Sequence, residues 1–373
     1  MRSIITTFQA GVFCLASLAP MALHAQEATW TGGDGAPTNP LACDSAAPAV
    51  DPGAYNGASP TTAVDRKGKS VKVVDVPKLV GIGYFMSSAA GAQLAAKEIG
   101  SVQVTTDGPT KANIDEQITF IDNYVTSGID GIMLSANDPV AVAPVLKKAL
   151  ESGINVVTYD ADAEPDARQW FINPATANGV AKTLIDQLAE QIGQDGHFAI
   201  VTSTFTTPNQ ARWISEMAAY SAKCYPKMKF LETVEAQEDN ILSFNQAQTL
   251  INKYGDELKG IVGMTSVATP AASEAVQQSN LCGKVSVVGL ALPNAMKPYI
   301  NSGCVKSAVL WSTEDMGYAA ATALRALADG TLKPGDKTFK AGKLGDLQII
   351  NKSEILLGAP KVFTKDNIAN FNF

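Results

Sequence analysis

From Val71 onward the chain alternates short apolar runs with amphipathic stretches, and this alternation limits the fold more than any other feature. After Val71 to Val76, candidate strands are Val102 to Thr106, Gly131 to Ser135, Asn155 to Asp160, His197 to Ser203, Lys229 to Val234, Gly260 to Thr265, Val285 to Leu290 and Lys306 to Trp311. Between them Val180, Leu184, Leu188 and Ile192 recur at four-residue spacing and stop at Gly193, while Ile114, Ile118 and Ile121 share a face that ends at Gly128. Continuous apolar strands separated by helices call for parallel sheets covered on both faces. The units are too many for one five-stranded sheet, and the pattern restarts after Gly193-Gln194-Asp195-Gly196. The expected fold is therefore α/β, with two doubly wound, Rossmann-like lobes. A closed (β/α)8 barrel is the competing architecture.

The first 25 residues read as a secretory signal peptide: Arg2, an apolar stretch from Phe8 to Leu18, then Met21-Ala22-Leu23-His24-Ala25 with cleavage after Ala25. Cys14 lies inside the apolar run without a lipobox boundary, so an exported protein without a lipid anchor is expected, and no other stretch is long and apolar enough to span a membrane. Residues 26–70 are rich in Gly, Pro, Ala, Ser and Asp and read as an extended leader. The formal charge of −7, more negative still without Arg2, argues against nucleic acid and acidic membranes as partners.

Cleavage would leave Cys43, Cys224, Cys282 and Cys304, an even number that permits two disulfides in an oxidising compartment. Cys282 and Cys304 each precede a predicted strand, and successive parallel strands are commonly neighbours, so we expect this pair to be bridged, with Cys43 to Cys224 as the second candidate. No CxxC occurs.

Catalytic sets are missing. His197 would be the one histidine left, at the start of a strand and so at the edge away from an α/β ligand crevice. Metal and Ser-His-Asp chemistry lose their usual players. Gly81-Ile82-Gly83 is only a GxG, so a nucleotide cofactor is not expected, nor any other cofactor or metal.

Polar residues collect instead at the carboxyl ends of strands, where ligands sit in open α/β sheets. These are Asp160 and Asp162 after Asn155 to Thr158, Ser135-Ala136-Asn137-Asp138 after Gly131 to Leu134, Thr206 to Gln210, and Thr265-Ser266. Asp138, ahead of Pro139, reads as a helix cap. A carboxylate, amides and hydroxyls converging there suit a neutral polyol. Tyr84, Phe85 and Trp311 fall at the same edge and supply rings for the apolar faces of a sugar. Asp160 is expected to be the main polar anchor, separable from stability.

Pro77-Lys78-Leu79-Val80-Gly81-Ile82-Gly83-Tyr84-Phe85, Asp107-Gly108-Pro109-Thr110, Ser135-Ala136-Asn137-Asp138-Pro139 and Tyr159-Asp160-Ala161-Asp162 together resemble the type I periplasmic sugar-binding proteins of ABC importers. Leu292-Pro293-Asn294-Ala295-Met296, Leu310-Trp311 and Phe363-Thr364-Lys365-Asp366-Asn367-Ile368 extend the resemblance, which runs from about residue 71 to the end and is nearest the branch of rhamnose-binding proteins and autoinducer-2 receptors.

The resemblance implies a hinge between the lobes, crossed near Asn173 to Ala177 and near Trp311 to Thr313. Residues 71–176 and 313–335 would form the N-terminal lobe and 177–312 the C-terminal lobe, with 336–373 unassigned. It also implies ligand-binding roles for Lys78, Asp160, Asn209 and Gln210. Autoinducer-2 receptors carry an acid where this chain has Asn209, and a proline and an alanine approximately where it has Met264 and Ser266; these departures, and Asn209-Gln210 followed by Trp213, look more like the rhamnose type. The full set of expected ligand-binding residues is Lys78, Tyr84, Phe85, Ser135, Asn137, Asp160, Asp162, Asn209, Gln210, Thr265, Ser266 and Trp311. The expected protein is a monomeric periplasmic binder, not an enzyme, that hands a small neutral sugar or polyol to a membrane permease. A chemoreceptor is left open as a further partner and autoinducer-2 as an alternative ligand.

Overall fold

The computed structural model describes residues 53–373. The expected signal peptide, most of the expected leader, Cys14 and Cys43 lie outside the described residues. The first half of the chain runs β1 (Val71–Val76), α1 (Gly83–Ile99), β2 (Val102–Thr106), α2 (Ile114–Ser127), β3 (Gly131–Leu134), α3 (Ala143–Glu151), β4 (Asn155–Tyr159) and β5 (Trp170–Asn173). These strands pair in parallel in the order β2-β1-β3-β4-β5. Alternate residues bury on opposite faces: Val74, Val76, Ile132 and Leu134 join one core with Ile121 and Leu146, whereas Val71, Val73 and Met133 join the other with Ala92 and Ala95.

The pattern then repeats with α4 (Ala177–Ile192), β6 (Gly196–Thr202), α5 (Pro208–Cys224), β7 (Met228–Glu235), α6 (Asn240–Tyr254), β8 (Leu258–Gly263), α7 (Ala268–Gln278), β9 (Ser286–Gly289), α8 (Pro293–Ser302) and β10 (Ser307–Leu310). Here the parallel order is β7-β6-β8-β9, with β10 set beside β9 through a Leu290 to Val309 bridge. Two open sheets thus share one winding, and the barrel alternative is excluded. The Val180 to Ile192 and Ile114 to Ile121 stripes form α4 and α2, each closed by a glycine in left-handed conformation, Gly193 and Gly128.

The last segment returns to the first sheet. Helix α9 (Thr313–Asp329) packs against α1 and β4, and β11 (Thr338–Lys340), β12 (Asp346–Ile350) and β13 (Glu354–Leu356) extend the sheet beyond β5. Then β14 (Lys361–Thr364) pairs antiparallel with β10 in the second lobe. The chain therefore passes between lobes three times, not twice: after Asn173, after Leu310 and between Leu356 and Lys361. The strands β5 and β11 to β14 escaped the sequence reading because they are only three to five residues long and no α-helix separates β4 from β5 or divides the run from β11 to β14.

Within the leader, residues 53–70 carry no helix or strand but are tied to the first lobe. Tyr55 donates its hydroxyl to the Gln169 carbonyl at 2.7 Å, Ala58 N donates to Arg168 O at 2.8 Å, and Arg66 pairs with Asp130 at 2.7 Å. Cys282 and Cys304 form a disulfide with a Cα separation of 4.7 Å. Cys224 is also disulfide-bonded, and its expected partner, Cys43, falls outside the described residues. Among the described residues, no helix is long and apolar enough to cross a membrane.

Candidate functional site

In a winding of order 2-1-3-4, the loops after the first and third strands diverge and leave a crevice at the carboxyl edge. Both lobes have one, and the two crevices face each other. The first receives the loop after β1, which carries Lys78 into α1 with Tyr84 and Phe85, and the turn after β4 at Asp160. The second receives Asn209 and Gln210 from the start of α5, Glu238 from the turn after β7, and Met264, Thr265 and Ser266 after β8. Trp311 closes the hinge side, and Trp213 reaches in from α5. Together with Ile82, Leu290 and Leu310 these residues line one cavity between the lobes, with the mixture of apolar rings and a few convergent polar groups typical of small-molecule sites.

Asp160 is the most connected group. It has a left-handed backbone, φ 62°, a conformation that residues other than glycine adopt at some cost and that recurs at functional positions. One carboxylate oxygen accepts from the Tyr84 hydroxyl at 2.9 Å and from Asn209 Nδ2 at 3.3 Å. The other accepts from Ser135 Oγ at 2.8 Å and lies 3.0 Å from Lys78 Nζ. Lys78 and Asp160 are both buried, each 3% exposed. Removing one partner of such a pair strands the other charge and costs about 3 to 5 kcal/mol. Asp160 therefore serves the stability of the fold as well as the cavity, which corrects the expectation that the two are separable.

The rings are locked in polarity. Burial and the Asp160 charge hold the Tyr84 hydroxyl well above the ordinary tyrosine pKa, so it stays protonated. It donates to Asp160 and accepts from Trp311 Nε1 at 2.8 Å. Tyr84 stands edge-on to Trp311 with centroids 6.4 Å apart, and Trp311 meets Trp213 at 5.5 Å.

Of the twelve residues expected in the site, nine line the cavity: Lys78, Tyr84, Phe85, Asp160, Asn209, Gln210, Thr265, Ser266 and Trp311. Three stand behind its wall. Ser135 spends its hydroxyl on Asp160. Asn137 donates its side-chain amide to the Lys78 carbonyl at 2.9 Å and its backbone N–H to Gln117 Oε1 at 3.0 Å, so it shapes the β1 to α1 loop rather than the cavity. Asp162 is held in a two-pronged pair with Arg168 at 2.7 and 2.9 Å and lines a neighbouring recess with Asn173, Arg212 and Glu354. Position at a strand end puts a residue near the crevice, but hydrogen-bond partners decide whether it faces inward.

Asp138 accepts from Val140 N and Ala141 N at 2.9 Å, capping the turn ahead of α3. His197 lies at the amino end of β6, its Nδ1 3.6 Å from Glu257, remote from the cavity. Among the described residues, no group of three His, Cys, Asp or Glu side chains could hold a metal ion.

Glu238 is the functional candidate that the sequence reading missed. It follows β7, so the carboxyl-end rule that selected the other loops would have found it. It and Gln237 are both left-handed, with φ 56° and 51°. The turn is fixed by Ala236 N to Thr202 O at 2.8 Å, Gln237 N to Ser203 O at 2.9 Å, and Asp239, which caps α6 through Leu242 N at 2.8 Å. Burial raises the Glu238 carboxyl above its ordinary pKa, opposed by Lys78, Thr265 and Gln210 and reinforced by Asp160.

A cavity held between the facing crevices of two hinged lobes, walled by fixed donors, acceptors and rings, defines a two-lobed ligand-binding protein. Residues 73–332 match the family model described as a periplasmic binding protein domain. The chain belongs to that family, in its type I sugar-binding branch. It is 26% identical over 271 residues to the D-ribose/D-allose-binding protein of Pseudomonas aeruginosa, covering 70% of this chain and 83% of the relative. A solute-binding protein from Clostridium phytofermentas with bound L-rhamnose is 27% identical, with a TM-score of 0.77 over 81% of this chain and 98% of the other. LsrB from Clostridium saccharobutylicum in complex with AI-2 is 25% identical, also with a TM-score of 0.77, over 81% of this chain and all of the other. These relatives are binding proteins, and this chain is one too, not an enzyme.

Proposed function

We propose that the protein is a periplasmic solute-binding protein that captures a small neutral sugar or polyol, of rhamnose, pentose or tetritol size, and delivers it to an ABC permease. The observation that carries this reading is the cavity itself. Rings from α1, α5 and the hinge offer flat apolar faces, while Lys78, Asn209, Gln210, Thr265 and Glu238 offer polar groups around them. Such a wall matches a molecule with C–H faces and a hydroxyl edge. The relatives that bind L-rhamnose, and D-ribose or D-allose by name, support it.

Autoinducer-2 is the second reading, favoured by the similarity to LsrB with AI-2 and by the Lys78 and Asp160 pair. Asn209 in place of an acid weighs against it. In this proposal the protein acts as a monomer, residues 71–176 and 313–335 form most of one lobe and 177–312 most of the other, and a chemoreceptor is a further partner for the closed form. A thermal-shift panel of pentoses, deoxyhexoses, tetritols and autoinducer-2 tests the ligand class, since a ligand that binds only the folded state raises the melting temperature. One neutral sugar or polyol should stabilise the protein strongly. Stabilisation by autoinducer-2 alone would favour the second reading, and a flat panel would remove both.

A further inference from the structure

We propose that Glu238 is the carboxylate that reads the ligand, accepting from two adjacent hydroxyl groups of the sugar, while Asp160 holds the wall of the cavity in shape. The inference rests on the proposed function and names the feature of the sugar that is recognised, a vicinal diol on an uncharged molecule.

A carboxylate offers about four lone-pair sites. Those of Asp160 are taken by Tyr84, Ser135, Lys78 and Asn209. Glu238 lines the same cavity from the opposite lobe and faces a smaller set of protein donors. The Thr265 hydroxyl oxygen already accepts from Val267 N at 3.2 Å and Ala268 N at 2.9 Å, so what it has left for Glu238 is its proton. Gln210 Oε1 accepts from Thr202 Oγ1 at 2.5 Å and Ser203 N at 2.8 Å, which leaves the amide nitrogen for the cavity. Thr265 and Gln210 together offset part of the burial penalty on the ionised form of Glu238 and leave about two of its lone-pair sites for a ligand.

The backbone supports the assignment. Two successive left-handed residues, neither of them glycine, hold Glu238 at the cavity wall, and the neighbouring hydrogen bonds keep them there. Strain retained in this way is characteristic of ligand clamps. Charge narrows the ligand class: one cation, Lys78, faces two carboxylates, Asp160 and Glu238, so an ionised Glu238 leaves the cavity with an excess negative charge that disfavours sugar acids and sugar phosphates.

The experiment is calorimetric titration of the wild type and Glu238→Gln with D-ribose, D-allose, D-arabinose and L-rhamnose, followed by monodeoxy derivatives of whichever sugar the wild type binds. Hydrogen bonds to a charged group imply that Glu238→Gln binds that sugar roughly 10- to 100-fold more weakly. Its unliganded melting temperature should not fall, because a partly buried charge has been removed. Deleting either of one adjacent hydroxyl pair should weaken wild-type binding and have little further effect in the variant. Affinity within about two-fold of wild type would overturn the proposal. So would deoxy losses that are equal in both proteins. Should Glu238→Gln be destabilised, the deoxy series on the wild type decides alone, since a diol reader requires two adjacent sensitive positions and any other pattern refutes it. If the wild type binds neither these sugars nor any neutral sugar or polyol of the thermal-shift panel, the proposed function itself falls, and this inference with it.

Discussion

Asp75 sits in β1 with no exposed surface, its carboxylate accepting from Tyr159 at 2.7 Å and Thr106 at 3.0 Å. Burial outweighs both bonds and raises its pKa to about 6, against an ordinary 3.8. A folded-state pKa above the unfolded value means that the native state holds the proton more tightly. The contribution of Asp75 is therefore fully present below about pH 4 and is lost as pH rises through 6, a difference of about 3 kcal/mol. Asp75→Asn keeps the shape and stays neutral, and a hydroxyl can turn to accept from its amide. Thermal melts from pH 4 to 8 should show the variant gaining on the wild type as pH rises. A melting difference independent of pH would show that Asp75 ionises freely in the folded protein.

Helices α1 and α9 connect the core to the cavity, because α1 begins with Tyr84 and Phe85 while α9 begins just after Trp311. Their contact depends on two glycines: a Cβ on Gly91 would lie 1.8 Å from the Glu314 carbonyl oxygen, and one on Gly317 would lie 1.9 Å from that of Ser88. Neither backbone can yield without the helices separating. Gly317→Ala should therefore destabilise the protein by about 1 to 3 kcal/mol, measured by urea denaturation. It should also weaken sugar binding, since the bond between Tyr84 and Trp311 spans the two helix starts. Unchanged stability would mean that the helices slide apart freely.

At the scale of the molecule, the three crossings make a hinge and the cavity makes the reason to close it. Asn209 of the second lobe donates to the Asp160 carbonyl at 3.1 Å and to its carboxylate at 3.3 Å, so polar contacts join the lobes at the ligand space, beside an apolar cluster that continues from one lobe into the other. Polar contacts of this kind hold weakly without a ligand to complete them. Small-angle scattering should show a fall in the radius of gyration when a binding sugar is added to saturation. An unchanged radius would rule out hinge closure in solution.

Sequence alone determined the winding, because apolar runs and four-residue stripes report directly which faces each element must bury. It also carried most of the crevice, since a residue just after a parallel strand lies at the ligand edge whatever else it contacts; Lys78 came by resemblance. It could not show which of those residues turn inward. Ser135, Asn137 and Asp162 share their loops with cavity residues, yet they are committed to Asp160, the Lys78 loop and Arg168, partners distant in sequence or invisible from composition. Nor could it reveal the third crossing, because β13 and β14 are strands of three and four residues that become strands only by pairing with β5 and β10. Glu238 reaches the cavity through two left-handed residues that no local preference favours. Only the surrounding hydrogen bonds, assembled by the tertiary fold, hold it there.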